Sequence, residues 1–219
     1  MAADETPLEN GLGGKAMDAK KMIVRIAQRM DEKNLTNAFE GNVSVMEGGL
    51  LYITPSGQNK GCIDESMIAV MDENGNQVDG CFPPSSEYKM HRDVYKMRND
   101  IGGVVHSHAP FLTAFAMCGK SFCFPQHAEF TWDHKCAEVL PYGRPGSEKM
   151  YAGAEKVLAS GRNIFLLANH GVVTVGKTLW DALNVLESAE SAAKIYAVSR
   201  LVGEPAELPE GEAELLLNL

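Results

Sequence analysis

The chain has 219 residues, 45% hydrophobic and 22% charged, which is enough to bury one substantial core. A formal net charge of −9 and the lack of a Lys/Arg block argue against a duplex nucleic-acid binder, whose affinity comes from neutralising phosphates. No stretch reaches the roughly 18 uninterrupted apolar residues of a membrane span, so no membrane partner is expected either.

Residues 1–17 are polar, acidic and glycine-rich, with no signal-peptide pattern, and read as a flexible start to a cytoplasmic protein. Residues 18–219 are expected to form a single domain. Cys62, Cys81, Cys118, Cys123 and Cys136 are odd in number and lack a C-x-x-C pair, so they read as reduced thiols buried as small hydrophobes.

Asp18 suits the N-cap of a helix running to about Lys33, with Met22, Ile26 and Met30 on one face. Short apolar runs at Val43–Met46, Leu50–Thr54 and Ile68–Met71 follow, separated by turns at Gly48-Gly49 and Glu73-Asn74-Gly75-Asn76, and read as a strand meander. Pro83-Pro84 ends that pattern. Ser85 or Ser86 then caps a helix over roughly 87–98, which places Glu87 in its first turn.

Gly102–His108 reads as a buried strand stopped by Ala109-Pro110, where proline opens a further helix. A second strand, Ile164–Leu167, leads into Asn169-His170-Gly171, and Val172–Val175 continues the sheet. The last long helix, about 178–201, lines up Leu179, Leu183, Leu186, Ala189, Ala193 and Tyr196.

Residues two apart on a strand share a face, so His106 and His108 can direct both imidazoles at one point. A bare H-x-H is weak evidence, because histidines are also common hydrogen-bonded core or surface residues. His170, after a second buried strand and before a glycine, adds a third imidazole, and three suit zinc or a similar metal with positions left open. Glu87 is either a plain first-turn carboxylate favoured by the helix dipole or an acid/base group beside that metal. Lys60, Lys89 and Lys177 have polar or glycine neighbours, so none is marked as a nucleophile of lowered pKa.

Gly41-Asn42-Val43-Ser44, Thr54-Pro55-Ser56-Gly57 and Ser85-Ser86-Glu87 fall at element ends, where backbone N–H groups are unpaired. Together with His106-Ser107-His108 and Asn169-His170-Gly171, in that order, they resemble the class II aldolase/adducin-head family over roughly residues 18–200. The resemblance implies an α/β fold, a three-layer αβα arrangement around a central, mainly antiparallel sheet, assembled as a homotetramer with active sites at subunit interfaces. It implies one divalent metal ion per subunit, zinc before manganese or cobalt, held by His106, His108 and His170 with Glu87 as proton shuttle and further ligand. Gly41, Asn42, Ser56, Gly57, Ser85 and Ser86 would cradle the phosphate of a sugar phosphate, and His127 or Glu129 would serve its aldehyde end. The implied reaction is aldol cleavage of a ketose phosphate to a dihydroxyacetone-phosphate-type product and an aldehyde. A 4-epimerase or dehydratase could use the same metal site, and a non-enzymatic adducin-head-like interaction domain is the alternative outside catalysis.

Overall fold

Helix α1 (Ala19–Glu32) starts where Asp18 accepts the Lys20 N–H at 3.0 Å, and buries Ile23, Ile26, Ala27 and Met30 along one face. The computed structural model describes residues 18–124, 126–134 and 136–218, so the expected flexible segment 1–17 lies outside the described residues. Strands β1 (Asn42–Glu47), β2 (Leu50–Ile53) and β3 (Ala69–Met71) form the expected antiparallel meander. A fourth strand, β4 (Gln77–Asp79), extends it at the edge; all three of its residues are exposed, so no apolar run announces it.

Helix α2 (Tyr88–Met97), strand β5 (Gly103–Ser107), helices α3 (Pro110–Met117) and α4 (Ala128–His134) and strand β6 (Glu138–Leu140) follow. Helix α5 (Ala154–Ala159), strands β7 (Ile164–Leu167) and β8 (Gly171–Gly176), and helices α6 (Leu179–Val202) and α7 (Glu212–Leu217) complete the described chain. All eight strands join one sheet in the order β4-β3-β2-β1-β5-β8-β7-β6. Its pairings are antiparallel apart from β6 with β7.

Alternation along the strands divides the core between two faces. Val105, Ile164, Leu166 and Val172 join α1, α3, α4 and α6 in one cluster, whereas Val104, Phe165, Leu167 and Val173 join α2 and α5 in the other. The expected α/β, three-layer architecture is therefore present. Because β5 and β8 lie side by side at its centre, the loops at their ends meet above the sheet.

The cysteines differ from expectation. Cys62, Cys81 and Cys118 are free and exposed, and Cys123 is disulfide-bonded to Cys136. The backbone bridge between Phe122 and Ala137, with N–H to carbonyl distances of 2.9 and 2.8 Å, brings those two cysteines together, a contact that their sequence separation conceals.

Glu190, buried on α6, accepts the backbone N–H groups of Phe111 and Leu112, each at 2.9 Å. These are free donors in the first turn of α3, which itself begins two residues after His108. Burial pushes the Glu190 carboxyl above its ordinary value, against the opposing pull of the two donors and Lys194. Glu190→Ala strands both donors and should cost about 2 kcal/mol of stability. A lower urea midpoint checks this, and an unchanged midpoint contradicts it.

Candidate metal centre

His106 lies on β5, fully buried, with its Nδ1 at 2.9 Å from the Val172 carbonyl on neighbouring β8. A carbonyl only accepts, so the neutral ring carries its proton on Nδ1 and presents a lone pair at Nε2. His108 falls just beyond the last strand residue, Ser107, so the pair is not set by strand alternation alone as expected. Its ring turns back, and the two Nε2 atoms stand 3.2 Å apart. The His108 Nδ1 is 3.1 Å from a Glu40 carboxylate oxygen, which fixes the same tautomer.

His170 arrives on the tight turn between β7 and β8, where its N–H donates to the Leu167 carbonyl at 3.0 Å and Asn169 takes a left-handed φ of 58°. Asparagine tolerates that conformation better than most residues. Gly171 is demanded by packing: a Cβ there would come within 2.4 Å of the Ser107 carbonyl oxygen and 3.0 Å of the His108 ring. The three rings then meet edge to face, and one nitrogen from each falls within 4.8 Å of the others.

Glu87 closes the cluster. It is the N-cap residue of α2 and not part of its first turn, and its side chain makes no capping bond. Ser85 takes the local role instead, its hydroxyl oxygen accepting the Glu87 N–H at 3.3 Å. One Glu87 oxygen lies 3.3 Å from His106 Nε2 and the other 3.4 Å from His170 Nε2.

Behind Glu87 runs a buried hydrogen-bond chain. The Asn42 amide donates to Glu87 Oε2 at 2.7 Å, its own oxygen faces His91 Nε2 at 2.5 Å, and His91 Nδ1 faces the Ser44 hydroxyl at 2.7 Å. Tyr95 donates to the Ser44 carbonyl at 2.8 Å. The amide orientation makes His91 the Nε2–H tautomer, accepting from Ser44. Every polar group in the chain is thereby paired, as a buried network requires.

Burial is the main reason that the imidazoles stay neutral, holding His106, His108 and His170 below the ordinary 6.5 and pushing His91 down to about 3. For Glu87, burial favours the protonated acid; the charge that His106 and His170 carry whenever they are protonated and, with those rings neutral, the Asn42 amide hydrogen bond pull it the other way, to below its ordinary value. Neutral imidazoles beside an ionised carboxylate are the protonation states that a metal needs.

The polar loops are knitted beside this cluster. Pro55 pairs with Pro84, the Ser56 N–H donates to the Pro83 carbonyl and the Ser85 N–H to the Thr54 carbonyl, so two of the three expected segments form one surface. The third joins through Val43, whose N–H donates to the Thr54 hydroxyl at 3.1 Å. Gly57, at φ 66°, and Ser86 are exposed there, Ser56 is half-buried and Ser85 is buried, as is Gly41, at φ 72°. The Asn42 side chain, in contrast, is committed at both ends to Glu87 and His91.

His127 and Glu129 lie elsewhere: the His127 ring accepts the Phe130 N–H at 3.1 Å, next to the largely exposed Glu129. Among the described residues, the polar contacts of both stay within their own helix start, apart from the histidine cluster. Lys60 corrects another expectation, because it is only 2% exposed and burial pushes its amine down to about 8. Its donors reach the Phe39 and Gln58 carbonyls at 3.3 and 2.9 Å, tying two loops together. Glu40 and His91 are the functional neighbours that sequence reasoning missed; Glu40 sits immediately before the recognised Gly41-Asn42, and His91 one helical turn after Glu87.

The donor set fits a divalent cation. Two neutral imidazoles with Nδ1–H groups engaged elsewhere leave lone pairs facing each other at 3.2 Å, which is repulsive unless a cation lies between them. Tetrahedral ligands at about 2.0–2.1 Å from zinc stand roughly 3.3–3.4 Å apart, close to the His106–His108, His106–Glu87 and His170–Glu87 spacings of 3.2, 3.3 and 3.4 Å, while the three imidazole nitrogens as a set lie within 4.8 Å.

A family model described as Class II Aldolase and Adducin N-terminal domain matches residues 21–197. The chain belongs to that family. Within this class II aldolase family, it is 34% identical over 185 residues to the L-fuculose phosphate aldolase of Methanocaldococcus jannaschii, covering 84% of this chain and 98% of that protein. It is 31% identical over 199 residues to the 5-deoxy-D-ribulose 1-phosphate aldolase of Bacillus thuringiensis serovar kurstaki, covering 90% and 92%. A solved L-fuculose 1-phosphate aldolase superimposes with a TM-score of 0.83 at 35% identity, over 95% of this chain and 98% of that one. The chain is accordingly a class II aldolase-type lyase.

The neutrality of His91 makes a signed prediction. Below about 6.5 the unfolded chain binds a proton there that the folded chain refuses until about 3, so stability is full above that window and falls as pH drops through it. In metal-free protein, His91→Gln should flatten the decline of Tm between about pH 6.5 and 4. Parallel declines in wild type and variant would contradict a neutral His91.

Proposed function

We propose that this class II aldolase reversibly cleaves a ketose phosphate to a dihydroxyacetone-phosphate-type product and an aldehyde, using one divalent metal ion per subunit. The observation that carries this reading is the meeting of three neutral imidazole nitrogens and the Glu87 carboxylate beside the knitted polar loops. Its similarity to aldolases of fuculose phosphate and 5-deoxyribulose 1-phosphate supports the substrate class.

His106, His108 and His170 would hold the metal, with Glu87 adjoining it. Three borderline nitrogen donors favour zinc, with manganese or cobalt as substitutes. Bound there, the ion supplies Lewis-acid stabilisation of the negative charge that develops beside the ketose carbonyl.

The remaining work falls to the protein. The hydroxyls of Ser56, Ser85 and Ser86 and the backbone N–H groups at Gly41 and Gly57 hold the phosphate, whereas the Ser56 and Ser85 N–H groups knit the loops together and the Asn42 side chain serves Glu87. When the carbon–carbon bond breaks, the carbinol hydroxyl gives up a proton as it becomes the aldehyde, and the carbon beside the ketone takes one up. Glu87, ionised in the free site, takes up a proton from solvent as substrate binds and delivers it to that carbon from Oε1, because Oε2 accepts from Asn42; in the aldol direction the same oxygen removes it. His127 or Glu129 receives the former from across a subunit interface.

Assembly into a cytoplasmic homotetramer completes the reading. The family resemblance supports it, together with the exposed apolar Ile195, Val198, Leu201 and Val202 on the last turns of α6. Coupled detection of dihydroxyacetone phosphate from a panel of ketose 1-phosphates tests the activity. Glu87→Gln should retain metal and lose about 10²–10⁴-fold in turnover, whereas His106→Ala and His170→Ala should lose metal and turnover together. Full activity in metal-stripped enzyme would contradict the proposal.

A further inference from the structure

The three clustered histidines do not have equivalent partners. His106 gives its Nδ1–H to a backbone carbonyl, and the buried Nδ1 of His170 has no hydrogen-bond partner among the described residues. Of the three, only His108 has a carboxylate on its Nδ1 side, Glu40 Oε2, at 3.1 Å.

Glu40 is 44% exposed, and an exposed carboxylate held in one place by a single histidine would contribute little. Here it is held by its own loop. Asn37 donates from its side-chain amide to the same Glu40 oxygen, and accepts the Phe39 and Glu40 N–H groups at 3.4 and 3.3 Å. The Thr36 hydroxyl donates to the Glu40 carbonyl. Gly41 then turns the chain at φ 72°, where a Cβ would meet the His106 carbonyl oxygen at 2.9 Å. The loop that delivers Glu40 thus packs directly on the strand that delivers His106.

We infer that Glu40 is a positioning residue of the metal centre, acting through His108: it fixes the Nδ1–H tautomer, orients the ring and adds negative charge behind this one ligand. A carboxylate behind a metal-binding imidazole raises its basicity as a ligand, and removing such a partner weakens metal binding about 10–100-fold. Glu40 lies on the Nδ1 side of the ring, away from the converging Nε2 atoms, so it acts on the metal only at second hand. This inference rests on the metal-centre reading of the preceding subsection.

Zinc affinity of metal-stripped full-length protein, measured by chelator competition, tests it without reference to turnover. Glu40→Gln and Glu40→Ala should each bind zinc about 10–100-fold more weakly than wild type, with metal-free Tm unchanged, and Glu40→Asp should recover part of the loss. In the metal-loaded wild type, the His108 Nδ1–H should give a slowly exchanging proton resonance that Glu40→Ala loses. Wild-type affinity in both the Gln and Ala variants would overturn the inference, as would an affinity loss that appears only when the metal-free variant unfolds. Failure of wild-type protein itself to bind zinc would bring down the underlying metal-centre reading as well.

Discussion

Two unshared electron pairs held 3.2 Å apart, on His106 and His108, are the constraint around which the rest of the site is arranged. Both rings have their Nδ1 protons tied, one to the sheet and one to a carboxylate, so neither can turn its N–H inward to relieve the contact. A divalent cation removes the repulsion and changes it into binding. The neighbouring glycine shows that the arrangement is built into the backbone: any side chain at Gly171 would strike the carbonyl of Ser107 and the rings beside it. Adjacent central strands bring the turns together, and the fold's topology thereby becomes a coordination geometry.

Glu87 connects that centre to the opposite layer. It heads α2, which packs on the other face of the sheet from α6, and its oxygen is anchored through Asn42 and His91 to Ser44 on β1. Burial keeps His91 neutral, so it can both donate and accept within one chain of hydrogen bonds. A proton on His91 would leave its second N–H facing the Ser44 hydroxyl, whose oxygen would have to become an acceptor. Stability of the α2 layer and the orientation of the carboxylate are therefore parts of one network, in which a single unpaired group would be costly.

Much of this was legible in the chain itself. Apolar periodicity located α1, α6, β5, β7 and β8 to within a residue or two, and the resemblance supplied the antiparallel sheet and its layers. Contacts between distant segments were not legible. The disulfide depends on the Phe122–Ala137 bridge, Lys60 is buried by loops whose local sequence is polar, and β4 is an edge strand with no apolar face. Glu87 was placed one position too deep in its helix, because the Ser85 and Glu87 capping roles are settled by the Thr54 carbonyl, more than thirty residues away. His91 reads as an ordinary helix residue until Asn42 and Ser44 are set beside it. Glu40 reads as one more surface acid until the His108 ring is seen to turn toward it.

X-ray absorption at the metal edge of zinc-loaded protein tests the central claim most directly, because it reports the ligands without depending on any substrate. Three imidazole nitrogens with oxygen completing the shell, all at about 2.0–2.1 Å, are expected. A sulfur scatterer at about 2.3 Å, or fewer than three imidazoles, would contradict a centre built on His106, His108 and His170.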